Sequence, residues 1–326
     1  FPMDHVMKQV IPAVVALFCA VSGLAPCRAA SFKSIDPLTA PPQRGFVSRV
    51  RADDWEEALI SGNGTIGALV LGWPEIERIT FSHERLFMPW YPSQPLVDMA
   101  PHLGEVRGLI DNGQYRAAAE FVYDLAERQG YREMRWTDPL TPGFDLIVDM
   151  PATGAVRGYL RSVDFETGVA LVRWEDDRGT FVRRLFVSRA DKVAVLSVRG
   201  ERQGGISCRL KLAPTRVRPP AEDEREEAAI DFEGAEIDAD DEESYFRGLT
   251  DIAAAAEGST LTYSSRFARA RSDSIAGYEG VALIRPQGGA AHVADGGIVV
   301  DGADEVLVLI SLDVLASNDS KLAEEA

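Results

Sequence analysis

The sequence is poor in the residues that staple, ligate or anchor a fold. Only three of its 326 residues are cysteine, at Cys19, Cys27 and Cys208. The first two lie in a segment expected to be removed on export, so Cys208 is left alone and no internal disulfide is available. The four histidines, His5, His83, His102 and His292, show no metal-ligand spacing, which argues against a zinc site. No run reaches the roughly 20 apolar residues of a lasting membrane helix. No basic stripe is available to follow a phosphate backbone, so nucleic-acid binding is disfavoured. There is no G-x-S-x-G elbow, and the adjacent Ser82 and His83 cannot form a nucleophilic triad.

The chain does carry enough hydrophobic residues, 46%, for a sizeable core in one large or two ordinary domains. The net charge of −17 is uneven: residues 221–244 hold 13 acids and one arginine, which leaves about −5 for the rest, an ordinary solubility charge. That acidic run reads as a solvated loop. Residue 1 is Phe, as expected of an incomplete reading frame, with Met3 or Met7 as alternative starts. Lys8 followed by the short apolar stretch 10–20 has the layout of a secretory signal, with Cys27 and Ala29 at −3 and −1 and cleavage after Ala29. The mature chain is thus expected to be secreted or periplasmic. Lipidation at Cys27 is the competing reading, ranked second because Pro26 sits where such signals want a small residue.

Glycines are densest within 55–90. Gly62, Gly64 and Gly67 spell G-x-G-x-x-G, but a dinucleotide site needs a buried strand before them and a helix after them. Asp53, Asp54, Glu56 and Glu57 precede the glycines, and Gly72-Trp73-Pro74 would stop a helix after about one turn. The glycines therefore read as a tight turn feeding a strand, and no cofactor is expected.

In chain order, 30–52 reads as a linker and 65–71 and 76–82 as strands. In the second, Ile76, Arg78 and Thr80 alternate with Glu77, Ile79 and Phe81, and the alternation leaves its facing open. Leu103, Val106, Leu109 and Ile110, then Tyr115, Ala118, Val122 and Leu125, keep helical spacing and predict a hairpin of two short helices, broken at Gly113 and ended at Gly130. From 144 onward short strands follow one another through polar turns: 144–149, 157–165, 168–175, 180–188, 192–199, 205–212, 260–268, 280–285, 291–294, 297–300 and 305–312. Short links between successive strands mean antiparallel meanders. The expected fold is mainly β, one large antiparallel super-sandwich over 53–315 with the helix hairpin inserted, and 316–326 opening a linker to a further domain.

Glycoside hydrolysis needs two carboxyls across a sugar. Glu84, in the His83-Glu84-Arg85 cluster, is the best single candidate, and Asp164 and Glu166 sit at a hairpin. The plainer reading is favoured, in which Glu84 pairs with an arginine and Asp164 shapes a turn. Trp55, Trp73, Trp90, Trp136 and Trp174 could stack on sugars, yet core packing is the more frequent use of such residues. Trp55 and Trp90 flank the turn and remain candidates for a groove.

These residues form blocks that resemble glycoside hydrolase family 95, the α-L-fucosidase and α-L-galactosidase family. Trp55-x-Glu57-Ala58-Leu59-x-x-Gly62-Asn63-Gly64-x-x-Gly67-Ala68 is similar to its W-x-E-A-L-P-x-G-N-G-x-x-G-A, with Ile60 for Pro. Phe81-Ser82-His83-Glu84-Arg85-Leu86-Phe87 is similar to L-N-E-x-T-L-W, with His83 for Asn. Gly113-Gln114-Tyr115-x-x-Ala118 resembles G-x-Y-x-x-A, and Tyr159 to Gly168 resembles Y-x-R-x-L-D-L-x-T-A with its Arg at Arg161. Arg183-Arg184-Leu185-Phe186-Val187-Ser188 followed by Asp191-x-Val193 resembles R-E-x-F-V-S-x-P-D-x-V, with Arg184 for Glu and Ala190 for Pro. Residues 300–306 match the family's last strand pair. The resemblance covers 55–315 and implies the N-terminal β-sandwich of an inverting hydrolase whose (α/α)6 barrel, absent here, holds the catalytic residues. No catalytic residue is carried over, and no metal. Trp55, Asn63, His83, Glu84, Arg85 and Trp90 are assigned to the interface with that barrel or to the rim of its site. The implied partners are the barrel and the glycan substrate of the full-length enzyme. The rival reading is a stand-alone β-sandwich that binds a glycan or a protein.

Overall fold

The computed structural model describes residues 42–89, 96–131, 138–215, 248–271 and 274–316. Two antiparallel sheets face each other. The larger has nine strands in the order β1 (Gly45–Ser48), β6 (Arg157–Asp164), β7 (Ala170–Asp176), β8 (Gly179–Val187), β9 (Ala194–Gly200), β16 (Glu305–Ala316), β13 (Ile275–Gln287), β12 (Thr260–Phe267) and β11 (Leu249–Glu257). The smaller has seven, in the order β14 (Ala290–Ala294), β15 (Gly297–Ala303), β10 (Ile206–Pro214), β5 (Phe144–Asp149), β4 (Ile76–His83), β3 (Ile66–Val70) and β2 (Leu59–Gly62).

Period-two burial produces this arrangement. Side chains on a strand point alternately to its two faces, so one set of alternate residues must enter the core. Ile66, Ala68 and Val70 on β3, Ala170, Val172 and Trp174 on β7, and Val306, Val308, Ile310 and Leu312 on β16 are such sets. An aromatic row crosses between the sheets, from Phe81 to Phe144 at 5.6 Å between ring centroids, to Tyr263 at 5.5 Å and to Tyr278 at 5.9 Å. Phe144 presses so closely on Gly280 that a Cβ there would lie 2.0 Å from its ring, which explains a glycine within a long central strand. The expected helix hairpin is present as α1 (Leu103–Asp111) and α2 (Tyr115–Arg128). Gly113 turns the chain between them at φ 73°, where its missing Cβ removes the steric cost.

Three edge strands depart from the sequence reading. Gly45–Ser48 lies in the segment read as a linker, yet pairs with β6. Leu59–Gly62, just before the glycine-rich turn, is a strand that pairs with β3. Leu249–Glu257 carries four consecutive alanines, good helix formers, but is drawn into the sheet by pairing with β12. The acidic run at 221–244, Trp136 and the tail at 317–326 lie outside the described residues.

Cys208 sits on β10 within the core cluster, and burial pushes its thiol up to about 12. Thiolate is the reactive form, so in a background with Cys19 and Cys27 replaced by Ser the folded chain should resist a disulfide reagent at pH 8. Labelling should follow unfolding. Rapid stoichiometric labelling without denaturant would contradict this burial.

Candidate functional site

The glycine-rich turn is fastened by its asparagine. Asn63 Oδ1 accepts the backbone N–H groups of Thr65 at 2.9 Å and Ile66 at 2.8 Å, the geometry of an Asx turn. Its Nδ2 donates to the carbonyl of Ser188 at 2.9 Å, on the other sheet. Ser61 completes the staple: its Oγ donates to Gly168 O at 2.7 Å and accepts from Val187 N at 3.2 Å. Asn63 therefore joins the β2–β3 turn to the loop after β8.

His83 lies beside this turn, because it pairs with Ile66 across β3 and β4, and Glu84 N donates to Thr65 O at 2.9 Å. The His83 ring is buried, and its Nδ1 accepts from Arg85 N at 3.1 Å. Burial lowers its pKa below the usual histidine value, against the pull of Asp313 and Glu84, so it is neutral at pH 7. Glu84 and Arg85 are exposed at the strand end. The expected arginine partner of Glu84 is not found: among the described residues it forms no ion pair. Asn63 and His83-Glu84-Arg85 are thus brought together. Trp55 is not with them. It occupies a single 3-10 turn, Trp55–Glu57, capped by Asp54, and leads into β2 from the end opposite to Asn63. Trp90 lies outside the described residues. Asp164 shapes its turn as expected, Oδ1 accepting from Glu166 N at 2.8 Å, while Glu166 pairs loosely with Arg44 at 3.7 Å on the surface.

The strongest polar constellation was missed by the sequence reading. Glu77, on β4, points into the core and meets Arg183 from β8 at 2.9 Å, both side chains almost fully buried. Glu77 Oε1 also accepts Gly72 N at 2.8 Å. Arg183 donates to the carbonyls of Trp73, at 2.6 Å, and Pro74. Its guanidinium lies 4.4 Å over Trp174, which stacks on Phe181 at 5.4 Å. Burial raises the Glu77 carboxyl above its usual range and lowers Arg183, each opposed by the other's charge. Tyr159 Oη donates to Gly72 O at 2.7 Å, and a Cβ on Gly72 would stand 2.7 Å from that oxygen. Arg161 donates to the carbonyls of Val50 and Glu57, both at 2.7 Å. Two strands of the larger sheet, β6 and β8, thus grip the turn between β3 and β4. The available signal was Arg183 in phase with Phe181 and Leu185 on an alternating strand.

These groups hold the two sheets together. A second buried acid, Asp145, is likewise consumed, by Arg78 at 3.1 Å, Thr80 at 2.8 Å and Thr215 at 2.9 Å. Among the described residues, no group of three histidine, cysteine or acidic side chains could hold a metal ion, and no helix is long and apolar enough to cross a membrane. Asn63→Ala removes three hydrogen bonds at a part-buried site and should cost about 1–3 kcal/mol by denaturant titration. Glu84→Gln should leave the melting temperature unchanged. Equal losses for the two would contradict the division between staple and rim.

Over 158 residues the chain is 25% identical to "Alpha-L-fucosidase 2" of Arabidopsis thaliana, a match covering 47% of this chain and 18% of the fucosidase. A solved structure, "Putative kojibiose phosphorylase from human microbiome", aligns with a TM-score of 0.39 and 8% identity over 87% of this chain and 35% of that one. The chain therefore spans only a minor part of either protein. The family model described as "Glycosyl hydrolase family 65, N-terminal domain" matches residues 48–315, all but the first strand's start and the last residue of the two-sheet body, and the chain belongs to that family of N-terminal domains.

Proposed function

We propose that this chain is the non-catalytic N-terminal domain of an exported glycoside hydrolase of the family 95 type, acting on terminal α-L-fucosyl or related linkages. An (α/α)6 barrel outside these residues would supply the acid and base. The family match over 48–315 supports the coarser part, an N-terminal domain of a glycoside hydrolase, on a body whose buried acids Glu77 and Asp145 are spent on inter-strand bonding. The partial identity to an α-L-fucosidase and the sequence blocks around Trp55, Asn63 and Arg183 support the finer assignment.

In this reading Trp55, Glu84 and Arg85, exposed, meet the barrel or the rim of its site, together with Trp90. Asn63 and His83 position that corner from below. The domain itself requires no cofactor. The apolar stretch after Lys8 directs export to the periplasm or medium, with lipidation at Cys27 as the second route. The purified chain should release no aryl alcohol from an aryl α-L-fucoside, whereas the chain continued into its barrel should. Hydrolysis by the chain alone, abolished by Glu84→Gln, would overturn the assignment.

A further inference from the structure

The nine-stranded sheet is wider than the seven-stranded one, and at one side its inner face is left open. There β2, the last strand of the smaller sheet, packs on β6, β7 and β8, and β1 lies at the outer edge. The gap is a cleft of about 640 Å³ lined by Phe46, Val50, Ile60, Val163, Phe165 and Arg161, with Glu56 and Glu57 also at its wall. Phe46 is 48% exposed and Phe165 69%, an unusual surface for two aromatics of a folded core edge.

One wall, β2, offers unpaired backbone. The bond from Asn63 N to Ile66 O fixes which residues of β2 bond to β3, and the register Ser61 to Ala68 and Leu59 to Val70 continues it. In an antiparallel ladder the alternate residues turn their N–H and C=O the other way. Ile60 and Gly62 therefore present theirs to the open side, a template for an added strand.

The floor supplies a charge. Arg161 is 4% exposed, and its Nε and Nη1 are taken by carbonyls, but Nη2 makes no hydrogen bond. Among the described residues no carboxylate lies within 4 Å of it, and Glu57 turns its own carboxylate to Asp53 N at 3.1 Å. A buried guanidinium without a counter-ion favours an anion that can reach it.

We propose that this cleft accepts an extended acidic peptide segment of a separate protein. The segment adds as a strand on the free edge of β2, lays alternate apolar side chains on Phe46, Val163 and Phe165, and presents a carboxylate to Arg161 Nη2. The unpaired Nη2 of Arg161 and the free edge of β2 set the partner's chemistry, a carboxylate carried on an extended strand. This goes beyond the hydrolase reading and does not depend on it.

The probe is the fluorescein-labelled octapeptide Thr-Val-Thr-Asp-Thr-Val-Thr-Val, whose Asp is in phase with its Val side chains, titrated into the full chain by fluorescence anisotropy. Saturable binding is expected, about tenfold weaker when Asn replaces Asp in the peptide. Phe165→Ser, at a solvent-exposed position, should weaken binding by a similar factor with an unchanged melting temperature. Ile60→Pro should abolish it, because the lost N–H serves only the open edge. Equal affinity for the Asp and Asn peptides, no binding, or indifference to Phe165→Ser would overturn the proposal. So would binding of tri-galacturonate in place of the peptide, which would make the cleft an acidic-glycan site.

Discussion

The ion pair between Glu77 and Arg183 is the constraint around which the sandwich is assembled. Two charges removed from water cost several kcal/mol each, and only close geometry with further hydrogen bonds offsets that cost. Here the offset comes from one place. Gly72 N, Trp73 O and Pro74 O, all in the turn between β3 and β4, bond to the pair, and only Arg183 Nε is left without a partner. The turn has a defined shape because the pair needs it. The pair is tolerable because the turn is there.

Register follows from the same source. A slip of one residue in β8 that placed Val182 inward would turn Arg183 to the outer face and leave Glu77 as an uncompensated buried carboxyl. Apolar residues could fill the space without fixing the alignment so strictly. Tyr159 and Arg161 extend the grip to β6, which carries β1 at the outer edge of the larger sheet. The open cleft beside β2 is therefore a consequence of how far the polar lock reaches. At the other end of β2, Asn63 and Ser61 do the same work on a smaller scale.

Much of the body was legible in the sequence because alternation is a direct imprint of two-sided burial. Phe144–Asp149 and Ile76–His83 show it, and the helix pair shows its own period. What escaped were elements made by their neighbours. The alanine-rich β11 has no strand signal of its own, and β1 and β2 are four-residue edges beside glycine and proline. The site was less legible for a related reason. Arg161 and Arg183 stood out as motif letters, but pointing a charge into a core contradicts the ordinary rule, and only the partner 106 residues away makes sense of it. The glycines of the Asn63 turn suggested a phosphate loop by spelling alone, whereas their neighbours specified a hairpin.

A thermodynamic double-mutant cycle on Glu77→Leu and Arg183→Met tests this account most directly. Each single change strands a buried charge and should cost about 3–5 kcal/mol in urea unfolding. The double variant, which removes both charges together, should lose less than either single one. Additive losses would show that the two residues act independently, and would contradict an assembly organised around their pairing.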